Sequence, residues 1–196
     1  VVGRHPLPGA DFLDCALDNR GNRGIVCKRA EDADVLCVAW GPFLRKPVEE
    51  TSGDEWDDVV YANLILPGAL VSAALPRMIG NRWGRILLFG GTRTEAVRGF
   101  RTNAAYGAAK TGVSSLVKSV AGVHARSGVT CNAICPGFVA TEYADAGLLA
   151  ETAAKNPDGV AMKPEDIAAI GLSILKNPDI NGVVLPVDKG WDPQFI

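Results

Sequence analysis

The order of apolar runs along this 196-residue chain predicts an α/β fold: a Rossmann-like, doubly wound parallel sheet with helices on both faces. Nearly continuous apolar runs of strand length, such as 33–41 (ADVLCVAWG) and 84–91 (GRILLFGG), are typical of parallel strands buried on both faces. Segments with helical spacing alternate with these runs, and each predicted strand ends in a loop of small residues. Such sheets bind ligands beyond the carboxyl ends of their strands.

The helices and strands can be assigned in chain order from periodicity, capping residues and turn signals. An acidic first turn marks the start of a helix over 53–79, and Pro67 should kink that helix. The absence of repeats and linkers predicts one domain over residues 1–196. The predicted strands cover 1–2, 10–18, 33–41, 84–91, 129–137 and 182–188, and the predicted helices cover 53–79, 104–124, 143–156 and 164–176.

Composition limits the classes of partner. The net charge is −2, so the chain has no overall basic field for nucleic acid or an anionic membrane surface. No uninterrupted apolar run reaches the roughly 18 residues that would span a bilayer, so no membrane partner is expected. Five cysteines without a C-x-x-C pair indicate a reducing compartment, and cytoplasmic location is the expectation. With two histidines in the chain, no metal site is expected.

Tyr106 and Lys110 stand four residues apart at the start of the 104–124 segment. On a helix these positions share one face about 6 Å apart. At an effective dielectric near 20, one positive charge about 5 Å away stabilises a phenolate by about 3 kcal/mol, which would lower the tyrosine pKa by about two units. The alternative is that Tyr106 only packs at the helix start while Lys110 is solvated. The surrounding motifs must decide between the two.

Four segments occur in an order that matches one protein family. YGAAK (106–110) looks like a Y-x-x-x-K signature, and Asn63 in WDDVVYANL resembles a helix asparagine that holds a proton-relay water. CNAICPGFVAT (131–141) looks like N-x-x-x-P-G-x-x-x-T, and KPEDIAAIGLSIL followed by NGVVLPVDKGW resembles a closing helix and last strand. Together they resemble the short-chain dehydrogenase/reductase family, especially its 3-oxoacyl-carrier-protein-reductase-like members.

The resemblance implies reversible hydride transfer between a nicotinamide cofactor and a small-molecule carbonyl or alcohol. Tyr106 would be the general acid or base. Lys110 would lower the tyrosine pKa and bind the nicotinamide ribose, and Asn63 would anchor a water molecule. The family's usual ending, V-D-G-G, appears here with Lys189 in place of a glycine.

No serine occupies the position of the family's catalytic serine. Counting along the strand places that position on Gly91, whereas counting back 13 residues from Tyr106 places it on Arg93. Thr92 is the nearest hydroxyl and is expected to polarise the carbonyl, with Thr94 as second choice. The alternative is that both threonines are ordinary turn residues.

Cofactor choice depends on the segment VVGRH. Arg4 lies there without a nearby acidic residue, which favours NADP(H) over NAD(H) because an arginine can pair with a 2′-phosphate. The alternative is a surface arginine. The residues that the resemblance places against the cofactor are Arg4, Leu17, Ala39, Gly41, Tyr106, Lys110, Pro136, Gly137, Val139 and Thr141.

Two departures from the family pattern leave other functions open. The family's N-N-A-G segment appears as Val38-Ala39-Trp40-Gly41, and its T-G-x-x-x-G-x-G phosphate loop has no counterpart in the sequence. Because VVGRH resembles the family's second strand, the first strand and helix, about 30 residues, are expected to belong to a longer protein. The open alternatives are a catalytically impaired nucleotide-sensing or scaffold protein and a cofactor-independent lyase or dehalogenase.

Surface features suggest partners. Arg93, Arg98 and Arg101 fall in the loop before Tyr106 and could receive an anionic substrate, although such a charge run is more often a solvated face. Residues 143–156 stand where the family has its mobile substrate lid. Family members usually form homotetramers or homodimers through the helices that begin near Glu55 and Ala104.

Overall fold

The computed structural model describes residues 2–3, 9–10, 13–141 and 146–192, so Arg4 and Tyr143 lie outside the described residues. Its main sheet has four parallel strands in the order β3-β4-β5-β6, and the first two strands pair in parallel with each other. The parallel sheet confirms the predicted α/β class. The strands are β1 Val2–Gly3, β2 Leu13–Asp14, β3 Val35–Val38, β4 Gly84–Phe89, β5 Val129–Pro136 and β6 Val184–Val187.

Helices cover both faces of the four-stranded sheet. The helix that carries Tyr106 and the closing helix have the predicted bounds. The helices are α1 Arg23–Ala30, α2 Gly53–Val60, α3 Leu66–Gly80, α4 Ala104–His124, α5 Ala146–Lys155 and α6 Pro164–Lys176.

The structure departs from the predictions about the first part of the chain in three places. No helix is predicted over 19–32, yet α1 lies there; its composition is polar, and it is held because Val26 and Ala30 are buried in the core. Of the strand predicted over 10–18, the described residues form β2, Leu13–Asp14. The strand predicted over 33–41 is shorter and is not buried on both faces, since the side chain of Val35 is 48% exposed. Among the described residues β3 pairs with one strand, β4.

The helix predicted over 53–79 is interrupted before Pro67 rather than at it. α2 starts with a capping box in which Ser52 and Glu55 exchange hydrogen bonds. A π-helical turn, Tyr61–Ile65, then joins α2 to α3, and the Leu66 N–H donates to the carbonyl of Tyr61. Pro67 has no N–H with which to continue the normal pattern back to Asn63, so the wider turn accommodates it.

The core has two layers, one on each face of the sheet. On strand β4, Ile86 and Leu88 contact the first layer and Leu87 contacts the second, as the period of a strand requires. The first layer is formed mainly by α3 and α4, and the second by α6. The first five residues of β4 are buried and Phe89 is half-buried, which confirms the interpretation of GRILLFGG as a buried strand. Core residues of the first layer include Leu66, Leu70, Val71, Ala74, Met78, Val113 and Val117.

The continuous helical stretch Gly53–Gly80 is long and apolar enough to cross a membrane by length and composition alone. Half of its most apolar window is buried inside the protein. The buried positions, among them Leu66, Val71 and Ala74, pack in the first core layer, which accounts for the apolar composition of this helix.

Candidate active site

Three loops meet at the carboxyl ends of β3, β4 and β5, where α4 begins. The Thr92 hydroxyl, after β4, donates to the carbonyl of Pro136 at the end of β5 (3.0 Å). The Asn63 amide donates to the carbonyl of Pro42 in the loop after β3 (3.0 Å). A candidate site therefore lies at the edge of the sheet where the fold class predicts ligand binding.

Tyr106 and Lys110 occupy the first two turns of α4 and share one face, as their spacing predicts. Lys110 is 3% exposed, and its Nζ donates to the carbonyl of Phe89 at the end of β4 (2.8 Å). The same Nζ lies 5.8 Å from the centroid of the Tyr106 ring. Phe43 packs edge-on against that ring with centroids 5.0 Å apart. The alternative of a solvated lysine is therefore wrong.

Burial controls the protonation of this pair. Desolvation raises the pKa of Tyr106 to about 12 and lowers the pKa of Lys110 to about 8. The predicted net lowering of the tyrosine pKa is wrong for this structure, because desolvation by burial, which that prediction omitted, raises the pKa. Tyr106 therefore carries its proton at neutral pH, and Lys110 is mostly charged there.

Asn63 is fully buried in the π-helical turn beside Lys110. Its Nδ2 donates to the carbonyls of Pro42 and Val59, both at 3.0 Å. Its Oδ1 is buried and has no hydrogen-bond partner. A Cβ on Gly41 would overlap Asn63 Oδ1 and lie 3.1 Å from Lys110 Nζ, so only glycine lets the backbone approach both groups.

The Tyr106 side chain rests on Gly91. A Cβ on Gly91 would lie 2.8 Å from the Tyr106 hydroxyl oxygen and 2.7 Å from its ring. Gly91, the position found by counting along the strand, is therefore the residue beside the tyrosine. Thr92 directs its hydroxyl proton to Pro136, and its proposed role toward a substrate stays a prediction. Thr94 is fully buried; its hydroxyl donates to the carbonyl of Gly91 (2.9 Å) and accepts from the Gly91 N–H (2.8 Å). Thr94 therefore stabilises the turn that begins at Gly91.

The other predicted cofactor residues differ in their surroundings. Pro136 and Gly137 end β5 half-buried, and a Cβ on Gly137 would lie 2.8 Å from Asp188. Leu17 packs on the first core layer and Val139 on the second. Ala39 and Thr141 are exposed, and Arg4 lies outside the described residues. For these residues cofactor contact stays a prediction.

The arginines in the loop before Tyr106 differ in their contacts. Arg98 pairs with Glu95 (3.0 Å), whereas Arg93 lies over the ring of Trp191 (5.9 Å). Trp191 in turn packs edge-on against Phe138, with centroids 5.2 Å apart. The sequence analysis did not predict a role for either aromatic residue. Their positions directly after the P-G and V-D-K-G motifs could have indicated that they lie near the site.

Comparison with known proteins agrees with this geometry. Residues 26–192 match the family model described as enoyl-(acyl carrier protein) reductase. The chain is 32% identical over 162 residues to the short-chain dehydrogenase/reductase olcF of Penicillium canescens, covering 74% of this chain and 62% of that protein. The chain belongs to the short-chain dehydrogenase/reductase family. Its members that match here are named as dehydrogenases and oxidoreductases, so the family is one of oxidoreductases.

Further relatives extend the comparison. D-beta-hydroxybutyrate dehydrogenase of Rhizobium meliloti is 28% identical over 187 residues, covering 87% of this chain and 72% of that protein. A crystal structure from Beutenbergia cavernae, provisionally assigned as an NAD(P)-dependent gluconate 5-dehydrogenase with NADP bound at low occupancy, superposes with a TM-score of 0.79 at 30% identity. It covers 92% of this chain and 76% of that one. The chain thus spans 56% to 72% of the length of the first four curated relatives it matches.

Proposed function

We propose that this chain carries the catalytic part of an NADP(H)-dependent oxidoreductase that reduces a small-molecule carbonyl or oxidises a secondary alcohol. The observation that carries the proposal is the Tyr106 hydroxyl placed against Gly91, with the buried Lys110 ammonium on the same helix face. Burying a lysine this completely costs free energy, and a functional role for the ammonium would account for that cost.

The residues present fit the nicotinamide ribose end of the cofactor. Lys110 Nζ has three N–H donors, of which the protein uses one on Phe89. Asn63 Oδ1 is an orphaned acceptor, and Gly41 leaves open the space beside both groups. Lys110 would hold the ribose hydroxyls, and Tyr106, Gly41, Pro136 and Gly137 would line the nicotinamide. When bound, the nicotinamide supplies or accepts the hydride.

The protein's own contribution is proton transfer and positioning. Tyr106, protonated at neutral pH, would donate its Oη proton to the oxygen of the reduced carbonyl. The positive charge of Lys110 would offset part of the cost of leaving a buried phenolate behind. Thr92 would donate to the same carbonyl oxygen after releasing Pro136. Phe43 packs against the tyrosine ring and holds it over Gly91.

The preference for NADP(H) rests on Arg4 in the segment VVGRH. A guanidinium at the end of that strand can pair with the 2′-phosphate, and the absence of a nearby acidic residue removes the usual acceptor for ribose hydroxyls. The NADP seen in the Beutenbergia cavernae structure supports this choice. Michaelis constants for NADPH and NADH should differ at least tenfold in favour of NADPH. A preference for NADH would refute the role of Arg4.

The test of the reaction is Tyr106→Phe in the full-length protein. The variant loses only the proton donor, so turnover of a carbonyl panel should fall by about 10²–10⁴ while cofactor affinity changes little. Tyr61→Phe is the matched control, because the buried Tyr61 hydroxyl has no hydrogen-bond partner and its removal should leave turnover unchanged. Near-normal turnover by the Tyr106 variant would exclude the proposed mechanism.

One observation favours a second function, a nucleotide-sensing or scaffold protein with impaired catalysis. Glycine occupies the position beside Tyr106, and the hydroxyl of the next residue, Thr92, already donates a hydrogen bond to the carbonyl of Pro136. This alternative predicts cofactor binding without turnover on any carbonyl. In that case Gly91→Ser would supply the missing hydroxyl, with any rotation of the Tyr106 ring that it requires. The variant would then show carbonyl turnover above the background level of the wild type.

We also propose a cytoplasmic homotetramer or homodimer, by analogy with the family. The exposed side chains of Ile65 and Val123 (45% and 72% exposed), on the long helices expected to associate, support this. Sedimentation of the full-length protein as a monomer would contradict it.

A further inference from the structure

Arg93 lies close to the reactive position without belonging to the proton-transfer pair. It stands two residues after Gly91, against which the Tyr106 hydroxyl rests, so its Cα is within about 7.6 Å of the glycine Cα. Its φ of 63° lies in the left-handed region, which is unfavourable for a residue other than glycine. The loop thus holds an arginine in an unfavourable backbone conformation at the mouth of the site.

Arg93 also differs from the other arginines of its loop. Arg98 is neutralised by Glu95 at 3.0 Å, and Arg101 is exposed to solvent. Arg93 is half-buried, and its guanidinium has no hydrogen bond or ion pair with any residue that the structure describes. None of the described residues engages its N–H donors, and partial burial strengthens the attraction between a guanidinium and an anionic ligand.

The surface around Arg93 is aromatic. The guanidinium lies 5.9 Å from the Trp191 ring, and Trp191 packs edge-on against Phe138. Lys155 lies on Phe138 as well (5.3 Å), but Glu151 at 2.5 Å already pairs with it. The hydrogen bond from Thr92 to Pro136 ties the loop of Arg93 to the strand end that leads to Phe138. Among the residues that the structure describes, Arg93 is thus a cation without an ion pair that lies over the Trp191 ring, in the loop that begins at Gly91.

We propose that Arg93 is a specificity-determining residue and that the substrate is a small oxo acid or hydroxy acid whose carboxylate it binds. A planar carboxylate matches the fork of a guanidinium, while Trp191 and Phe138 cover the carbon chain. The Cα separation of at most about 7.6 Å between Gly91 and Arg93 is compatible with one small substrate that carries both the carbonyl and the carboxylate. This inference rests on the proposed carbonyl chemistry at Tyr106.

The experiment compares an acid with its neutral ester, acetoacetate with methyl acetoacetate, in the full-length protein with NADPH. The two compounds share the reacting carbonyl and differ in charge. Arg93→Met removes the charge at similar length, Arg93→Lys keeps it, and Arg101→Met is the matched control from the same loop. Affinities for 3-hydroxybutyrate and its methyl ester, measured by calorimetry on the same variants, test Arg93 independently of turnover.

The wild type should prefer the acid in both kcat/KM and affinity. Arg93→Met should lower both values for the acid by about 10- to 150-fold, the usual worth of a charge-assisted hydrogen bond, and leave the ester unchanged. Arg93→Lys should keep part of the preference, and Arg101→Met all of it. Equal losses for acid and ester, or a wild type that binds both alike, would overturn the inference. Acid binding that depends on Arg93 without turnover would instead refute the proposed function alone.

Discussion

Replacement of Lys110 by methionine should make the protein more stable and inactive. The lysine is 3% exposed, and burial lowers its pKa from 10.5 to about 8. Holding the charged form in that position at pH 7 therefore costs about 3 kcal/mol relative to the unfolded chain. Methionine has a similar length and no charge. It loses the hydrogen bond to Phe89, worth about 1 kcal/mol, so the expected net gain is about 2 kcal/mol.

The pH dependence separates this cause from a general packing effect. Between pH 8 and 10.5 the unfolded chain binds the lysine proton and the folded chain does not, so wild-type stability rises with pH through this window. The advantage of Lys110→Met should therefore shrink by about 3 kcal/mol from pH 7 to pH 10.5. The raised pKa of Tyr106 is common to both proteins, and its effect cancels in the comparison.

Urea unfolding of both proteins at a series of pH values measures this difference. Lys118→Met, on the exposed face of the same helix, controls for the loss of one lysine charge. A Lys110→Met protein less stable than wild type at pH 7, or a stability gap that does not change with pH, would refute the reasoning. Retained turnover in the same variant would refute the role of Lys110 in catalysis.

Three further substitutions test the geometry around the site. Gly91→Ala places a Cβ 2.7 Å from the Tyr106 ring, so the ring must move and turnover should fall about 10²-fold; unchanged kcat would show that the ring adapts freely. Asn63→Ala removes two buried hydrogen bonds and should cost about 2–4 kcal/mol in urea unfolding, and a smaller loss would mean that water replaces the amide. Gly107→Ala overlaps the Phe100 ring and should cost about 1–3 kcal/mol, with faster proteolysis of the 91–103 loop as the second readout; an undisturbed loop would contradict the contact.

The candidate site shows which inferences depend on local pattern. The spacing of Tyr106 and Lys110 could be read from the sequence because a helix converts a separation of four residues into a shared face. The neighbourhood of Asn63 was harder to foresee, because its contacts with Pro42 and Gly41 join residues that lie about 20 positions away. The pKa of the pair could not be foreseen at all, since it depends on how completely the fold removes water.

Tertiary packing determines whether α1 forms and how deeply β3 is buried. α1 has few apolar residues, and it forms because Val26 and Ala30 are buried in the first core layer. β3 reads as a fully buried strand, but burial depends on neighbours, and Val35 remains half exposed. Local composition carries no information about either outcome.

The sequence by itself determined the parallel α/β class, the bounds of α4 and α6, and the pairing of a tyrosine with a lysine, because each follows from short-range periodicity and from motifs in a fixed order. Only the tertiary structure decided that Gly91 stands beside the Tyr106 hydroxyl, that burial of Lys110 lowers its pKa to about 8, and that Arg93 is the arginine of its loop that lies over an aromatic ring, with no carboxylate partner among the described residues. These properties arise from distances between residues far apart in the chain and from the exclusion of water, neither of which a local pattern encodes.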